Sequence, residues 1–133
     1  MASTEGLGDA PTSLGPAPRV VTEAHFLSPS GNIGCYLSTD SARCDIAKKS
    51  WTPPPAPADC ELDWGSGISV NKTGEATFTC AGDTVLGAKE KLAYGSALRA
   101  GGFLCSSDSR AMRCENTESG HGFTLSVAQY NLF

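Results

Sequence analysis

The stretch "GNIGCYLSTDSARC" (Gly31–Cys44) has a counterpart seventy positions on, "GGFLCSSDSRAMRC" (Gly101–Cys114). Each opens on glycine, places eight residues between two cysteines and carries an arginine directly before the second cysteine. Eight intervening residues suit a hairpin: a four-residue turn with two further cross-strand pairs, or a two-residue turn with three. Residues directly opposite on antiparallel strands have Cα atoms about 4.5–5.5 Å apart, within reach of a disulfide. The spacing predicts strands over Ile33–Leu37 and Ala42–Ile46. It predicts them again over Gly102–Ser106 and Ala111–Glu115, each pair closed by its own bridge.

Cys60 and Cys80 remain, around "ELDWGSGISVNKTGEATFT". Within that segment Ile68 and Val70 alternate with polar residues, "NKTG" reads as a turn, and Ala76, Phe78 and Cys80 alternate again, which is a hairpin signal. Six cysteines permit fifteen pairings. The arrangement without nesting is the one hairpin geometry favours: Cys35–Cys44, Cys60–Cys80 and Cys105–Cys114. Loops of this size imply roughly 2.5–3.5 kcal/mol per bridge. An even cysteine count in a chain of 133 residues points to an oxidising compartment. No two cysteines lie close enough for a zinc knuckle or a C-x-x-C redox motif.

Outward from these hairpins, "RVVTEAHFLS" (Arg19–Ser28) reads as strand and "SPSGN" (Ser28–Asn32) as a turn. "WTPPPAPADC" (Trp51–Cys60) lacks the amide donors a helix or central strand needs and reads as an extended crossover pinned at both ends. "GDTVLGAKEKLAYG" reads as a loop with a strand at Lys91–Tyr94. A last strand is expected at Phe123–Val127, with Tyr130, Leu132 and Phe133 packing on the core. Some eight or nine short strands with little helix predict an all-β fold, a small disulfide-stapled sandwich or partly open barrel of antiparallel hairpins. Residues 1–19, rich in glycine, proline and serine, are expected to be a disordered leader, and 20–133 a single domain.

The formal net charge is −4, which argues against a nucleic-acid partner. No apolar run approaches the roughly 20 residues of a membrane span. No secretory signal is visible at Met1, so the sequence reads as the mature part of an exported protein, extracytoplasmic and monomeric.

Chemistry-bearing residues are few. His121 lies between two glycines and is the one histidine placed to face a site, while His25 reads as structural. "YGSAL" lacks the final glycine of a nucleophile elbow. Asp59, Glu61 and Asp63 alternate with Cys60, Leu62 and Trp64, as on a strand with one solvated side, so calcium is not needed to explain them. Neither a cofactor nor a metal is expected. Trp51 and Trp64 read as core residues before sugar platforms. Arg43 and Arg113, each before a closing cysteine, and Arg110 are candidate binding residues beside His121. Should the first two pair with Asp45 and Glu115 across the cysteine, they belong to the scaffold.

The ordered set "FLSPSGNIGC", "RCDI", a tryptophan before prolines, "DWG", "G-x-A-x-F-x-C-x-x-D-T-V", "RC-x-N" and "GHGF-x-L-S" resembles a family of small exported or lipid-anchored actinobacterial proteins of unknown function. The resemblance spans about Phe26 to Phe133. It implies export, disulfides and a cell-envelope location, and it transfers no catalytic residue. The expectation is therefore a non-catalytic binding domain for a protein or envelope component. Two alternatives stand beside it. One is a small envelope hydrolase using His121. The other is an inhibitor presenting a stapled loop, Ser38–Ser41 or Ser106–Arg110, to a secreted enzyme.

Overall fold

A computed structural model describes residues 17–133. The expected leader falls almost wholly outside the described residues. The chain forms two sheets packed face to face. The first is an antiparallel meander of β2 (Glu23–Leu27), β3 (Ile33–Ser38), β4 (Ser41–Ile46), β5 (Asp63–Asn71) and β6 (Thr77–Ala81), in chain order. The second is another five-strand meander: β7 (Ala97–Ala100), β8 (Phe103–Ser107), β9 (Met112–Asn116), β10 (Gly122–Leu125) and β11 (Tyr130–Leu132). β1 (Arg19–Val20) joins the edge of the second sheet, parallel to β7. The fold is an all-β sandwich. Among the described residues no helix is long and apolar enough to cross a membrane.

The two cysteine hairpins occupy equivalent places, on the second and third strands of each meander. Cys35 faces Cys44 and Cys105 faces Cys114, each pair followed by two more ladder pairs before its turn. All three bridges are present: Cys35–Cys44, Cys60–Cys80 and Cys105–Cys114. Cα separations of 4.0 and 4.1 Å mark the two hairpin bridges as directly opposed strand neighbours. Both point inward and are fully buried, and Cys44 Sγ lies 3.6 Å from Cys114 Sγ. Two disulfides thus meet at the centre of the sandwich. A row of paired apolar residues flanks each one: Phe26, Ile68 and Phe78 across the first sheet, Leu98 and Phe123 across the second. The third bridge is peripheral, with Cys80 exposed on an edge strand.

The proline crossover is a structural connection. Trp51 Nε1 donates to the Ser126 carbonyl at 2.8 Å and Trp64 Nε1 to the Pro54 carbonyl at 2.7 Å. Both rings pack with Phe78, and Trp51 also with Tyr130, closing the β6/β11 side of the sandwich. β5 is bulged between Trp64 and Ile68. Gly65 there has φ +87°, and a Cβ would sit 2.5 Å from Pro53 Cγ, so glycine lets the crossover lie flat on the strand.

Three sequence expectations are corrected. The strand at Lys91–Tyr94 is only a single bridge, Leu27 to Lys91. The true strand is "ALRA" at Ala97–Ala100, weak in β propensity but with Leu98 and Ala100 on the buried beat. Asp59–Leu62 is not strand, and Leu62 is 59% exposed, because β5 begins only at Asp63. Of the terminal residues Tyr130 packs on the core, whereas Leu132 is exposed and Phe133 lies against Arg113.

Between β6 and β7 the chain crosses the outer face of the first sheet. Its Val85–Leu86 backbone rests directly on Gly34, where a methyl group would collide with the Val85 carbonyl oxygen. Gly34→Ala is expected to cost about 1–3 kcal/mol by forcing this cover off the sheet. Urea denaturation measures it, and an unchanged midpoint would show that the cover is not seated there.

Candidate functional site

Arg43 and Arg113 both project from the outer faces, and both pair across the cysteine. Arg43 donates from Nε to Asp45 Oδ1 at 3.1 Å and from Nη2 to Asp45 Oδ2 at 3.0 Å. It also reaches Asp83 Oδ1 at 3.0 Å. Asp45 is buried under the β6–β7 cover, and its Oδ2 takes two further donors, Thr84 Oγ1 and the Val85 backbone N–H. Arg43 and Asp45 are therefore a clamp that fixes the cover to the sheet. Arg113 repeats the motif without the β6–β7 cover: its Nε donates at 2.8 Å to Oε2 of the half-buried Glu115, and its guanidinium stacks on Phe133 at 4.3 Å.

Asp83 is exposed, and the hydrogen bond from Arg43, reinforced by its charge, holds the carboxyl below the ordinary carboxylate range. A depressed carboxyl adds stability above its unfolded-state value and loses it as pH falls through the folded-state value. An NMR titration of Asp83 should place its midpoint below the ordinary 3.8. A midpoint at or above that value would mean the Arg43–Asp83 contact does not persist in solution.

His121 is half-buried. Its Nδ1 lies 3.4 Å from the Phe133 carbonyl oxygen, and its backbone N–H donates to Ser119 Oγ. Among the described residues no side-chain hydroxyl or carboxylate hydrogen-bonds the imidazole, so the parts of a nucleophile–base pair are not brought together there. His25 Nε2 sits 2.9 Å from the Val85 carbonyl and holds the cover from the β2 side. Cys35, Cys44 and Cys114 have sulfurs within 4.8 Å of one another, but as disulfide sulfurs they offer no thiolate to a metal.

Arg110 has a different setting. It sits on the β8–β9 turn, its side chain 90% exposed, with its backbone N–H on Asp108 Oδ1 at 2.9 Å and its Nε at 3.3 Å from the same oxygen. The turn borders a cleft of about 180 Å³ at one end of the sandwich. The β2–β3 loop supplies Ser28 and Asn32, the β10–β11 turn supplies Val127, and the turn before β7 supplies Tyr94.

Among the described residues four polar side chains are buried: Ser28, Asp45, Ser107 and Asn116. Three are satisfied. Ser28 Oγ accepts from the Ile33 backbone N–H, and Asp45 is clamped as described. Asn116 seals the opposite end of the sandwich by donating to the Asn71 and Lys72 carbonyls and accepting from Glu118 N–H. Ser107 Oγ has no hydrogen-bond partner among the described residues, and Ser107 lines the cleft. A buried hydroxyl without a hydrogen bond costs about 1–3 kcal/mol, which makes it the anomalous polar group of the fold.

Sequence reasoning reached Arg110 and the stapled turn but missed Ser107 and Tyr94. The signal for Ser107 was present: in "FLCSS" the inward beat runs Phe103, Cys105, Ser107, ending on a hydroxyl where an apolar residue belongs. Tyr94 carried no signal, because its place beside the cleft depends on the β6–β7 connection.

A family described as "Family of unknown function (DUF6636)" matches residues 43–133. No curated protein and no solved structure matches the chain.

Proposed function

The chain belongs to that family of unknown function, and on this premise we propose that it is an exported, non-catalytic binding domain that engages its partner at the Ser107 end of the sandwich. The observation that carries the reading is the unpartnered buried hydroxyl in an open cleft, at one end of a scaffold whose other buried polar groups are satisfied. Three disulfides are consistent with an extracytoplasmic location. The resemblance to small exported or lipid-anchored actinobacterial proteins favours the cell envelope as the compartment. The imidazole of His121 contacts the Phe133 main-chain oxygen and hydrogen-bonds no side-chain hydroxyl or carboxylate among the described residues, which favours binding over turnover.

Retention of envelope components on immobilised protein tests this, comparing the wild type with Tyr94→Ala and with Lys72→Ala at the far end. The wild type and Lys72→Ala should retain the same component and Tyr94→Ala should not. Equal retention by all three, or none by the wild type, would overturn the reading.

The inhibitor alternative draws on one observation, an arginine 90% exposed at the tip of a turn tied by the Cys105–Cys114 bridge. Inhibition of secreted proteases or lysozymes, lost in Arg110→Ala, would favour it over passive binding.

A further inference from the structure

We propose that the cleft takes a neutral sugar, with Tyr94 as the surface on which the ring lies and Ser107 as the hydroxyl that reads it. The inference rests on the preceding assignment of this end as the binding site.

Charge narrows the ligand class first. Among the described residues, Asp108 and Arg110 are the only charged ones lining the cleft, and they pair with each other at 3.3 Å. The Arg110 backbone N–H, followed by its guanidinium, also holds the Asp108 carboxyl below its ordinary range. The two charges cancel at the mouth of the cleft, so its net charge selects neither a phosphate or carboxylate nor an amine.

The remaining polar groups are hydroxyls and one amide. The Asn32 amide is engaged with the Lys48 backbone, donating to its carbonyl and accepting its N–H, so the hydroxyls of Ser30 and Ser109 are the lining groups that can both donate to and accept from a ligand beside Ser107. That duality complements a ligand whose own groups are hydroxyls. A buried Ser107 Oγ with both capacities unused would gain a partner from such a ligand.

Two large apolar side chains stand open at the rim, Tyr94 at 52% and Val127 at 50% exposure. An exposed aromatic face beside a ring of hydroxyls matches a pyranose, which is apolar on its C–H face and polar at its edge. Size agrees. At about 180 Å³ the cleft is smaller than the roughly 300–1,000 Å³ of a drug-sized pocket, so it holds a single ring rather than a nucleotide or a peptide segment.

Saturation-transfer NMR on the whole chain tests the proposal. The probes are D-glucose, D-galactose, D-mannose and N-acetyl-D-glucosamine, with D-glucuronate and D-glucosamine as charged controls. At least one neutral sugar should receive saturation, and its affinity should fall about tenfold in Tyr94→Ala. Ser107→Ala should bind more weakly yet melt no lower than wild type, since it deletes an unsatisfied hydroxyl; a merely structural serine would show the opposite. Tyr94 is exposed, so that variant tests binding even if Ser107→Ala were destabilised. Transfer to no neutral sugar, transfer unchanged in Tyr94→Ala, or stronger transfer to a charged control would overturn the sugar assignment. Envelope retention that is lost in Tyr94→Ala while no sugar binds would leave the binding-end reading standing and remove only the ligand class. Loss of neither would remove both.

Discussion

Replacing Cys105 and Cys114 together by alanine is expected to cost about 4–5 kcal/mol, about a third or more of the total stability of a domain held by about 5–15 kcal/mol. Loop closure alone accounts for roughly 2.5–3 kcal/mol of this. The rest is packing. Both sulfurs are fully buried against the Cys35–Cys44 bridge, and their loss opens a gap at the middle of the core, at about 1 kcal/mol for each deleted heavy atom. The Cys60–Cys80 bridge is the control. Its sequence separation is 20 against 9, so loop entropy ranks it higher by about 0.7 kcal/mol. It lies at the surface, however, and its removal forfeits little packing. Packing wins, so Cys60→Ala with Cys80→Ala should be the milder double variant. Urea denaturation of both measures the order, and a larger loss at Cys60–Cys80 would mean the stacked disulfides are not the keystone of the core.

Asp45→Ala is expected to cost about 3–5 kcal/mol, whereas Glu115→Ala should cost under about 1 kcal/mol. The two residues stand one position after equivalent cysteines, each paired with the arginine one position before. Burial separates them. Asp45 is covered, and its removal strands the half-buried Arg43 guanidinium, the Thr84 hydroxyl and the Val85 amide at once. Glu115 and Arg113 are reached by water, which replaces whatever the pair loses. Hydrogen exchange at the Val85 amide should also accelerate in Asp45→Ala as the cover lifts. Equal costs for the two substitutions would refute the clamp.

That contrast also shows where the sequence stops being informative. "ARCDI" and "MRCEN" look alike, and their shared cysteine spacing and inward–outward alternation were sufficient to place β3, β4, β8 and β9. Nothing in either motif tells that one acid is roofed and the other is not. The roof is the β6–β7 segment, brought there by a crossover from one edge of the sheet to the other. β7 escaped for a local reason: "ALRA" has neither β-branched nor aromatic residues, and its strand state comes from pairing with β8. At the site, Arg110 was legible from the stapled turn. Ser107 was legible only as a polar residue on the core-facing beat, and the cleft itself is a product of four loops far apart in the chain.

The echo between Gly31–Cys44 and Gly101–Cys114 is one structural device used twice, with the same strands, register and outward acid–base pair in both meanders. It serves rigidity, and the binding capacity lies at one end of it. The most direct measurement of that claim is an amide chemical-shift map of the 15N-labelled protein titrated with the neutral sugars. Shifts confined to residues 28–32, 94, 107–110 and 126–127 are the predicted result. Shifts centred on His121 and Phe133, or no shifts at saturating sugar, would contradict it.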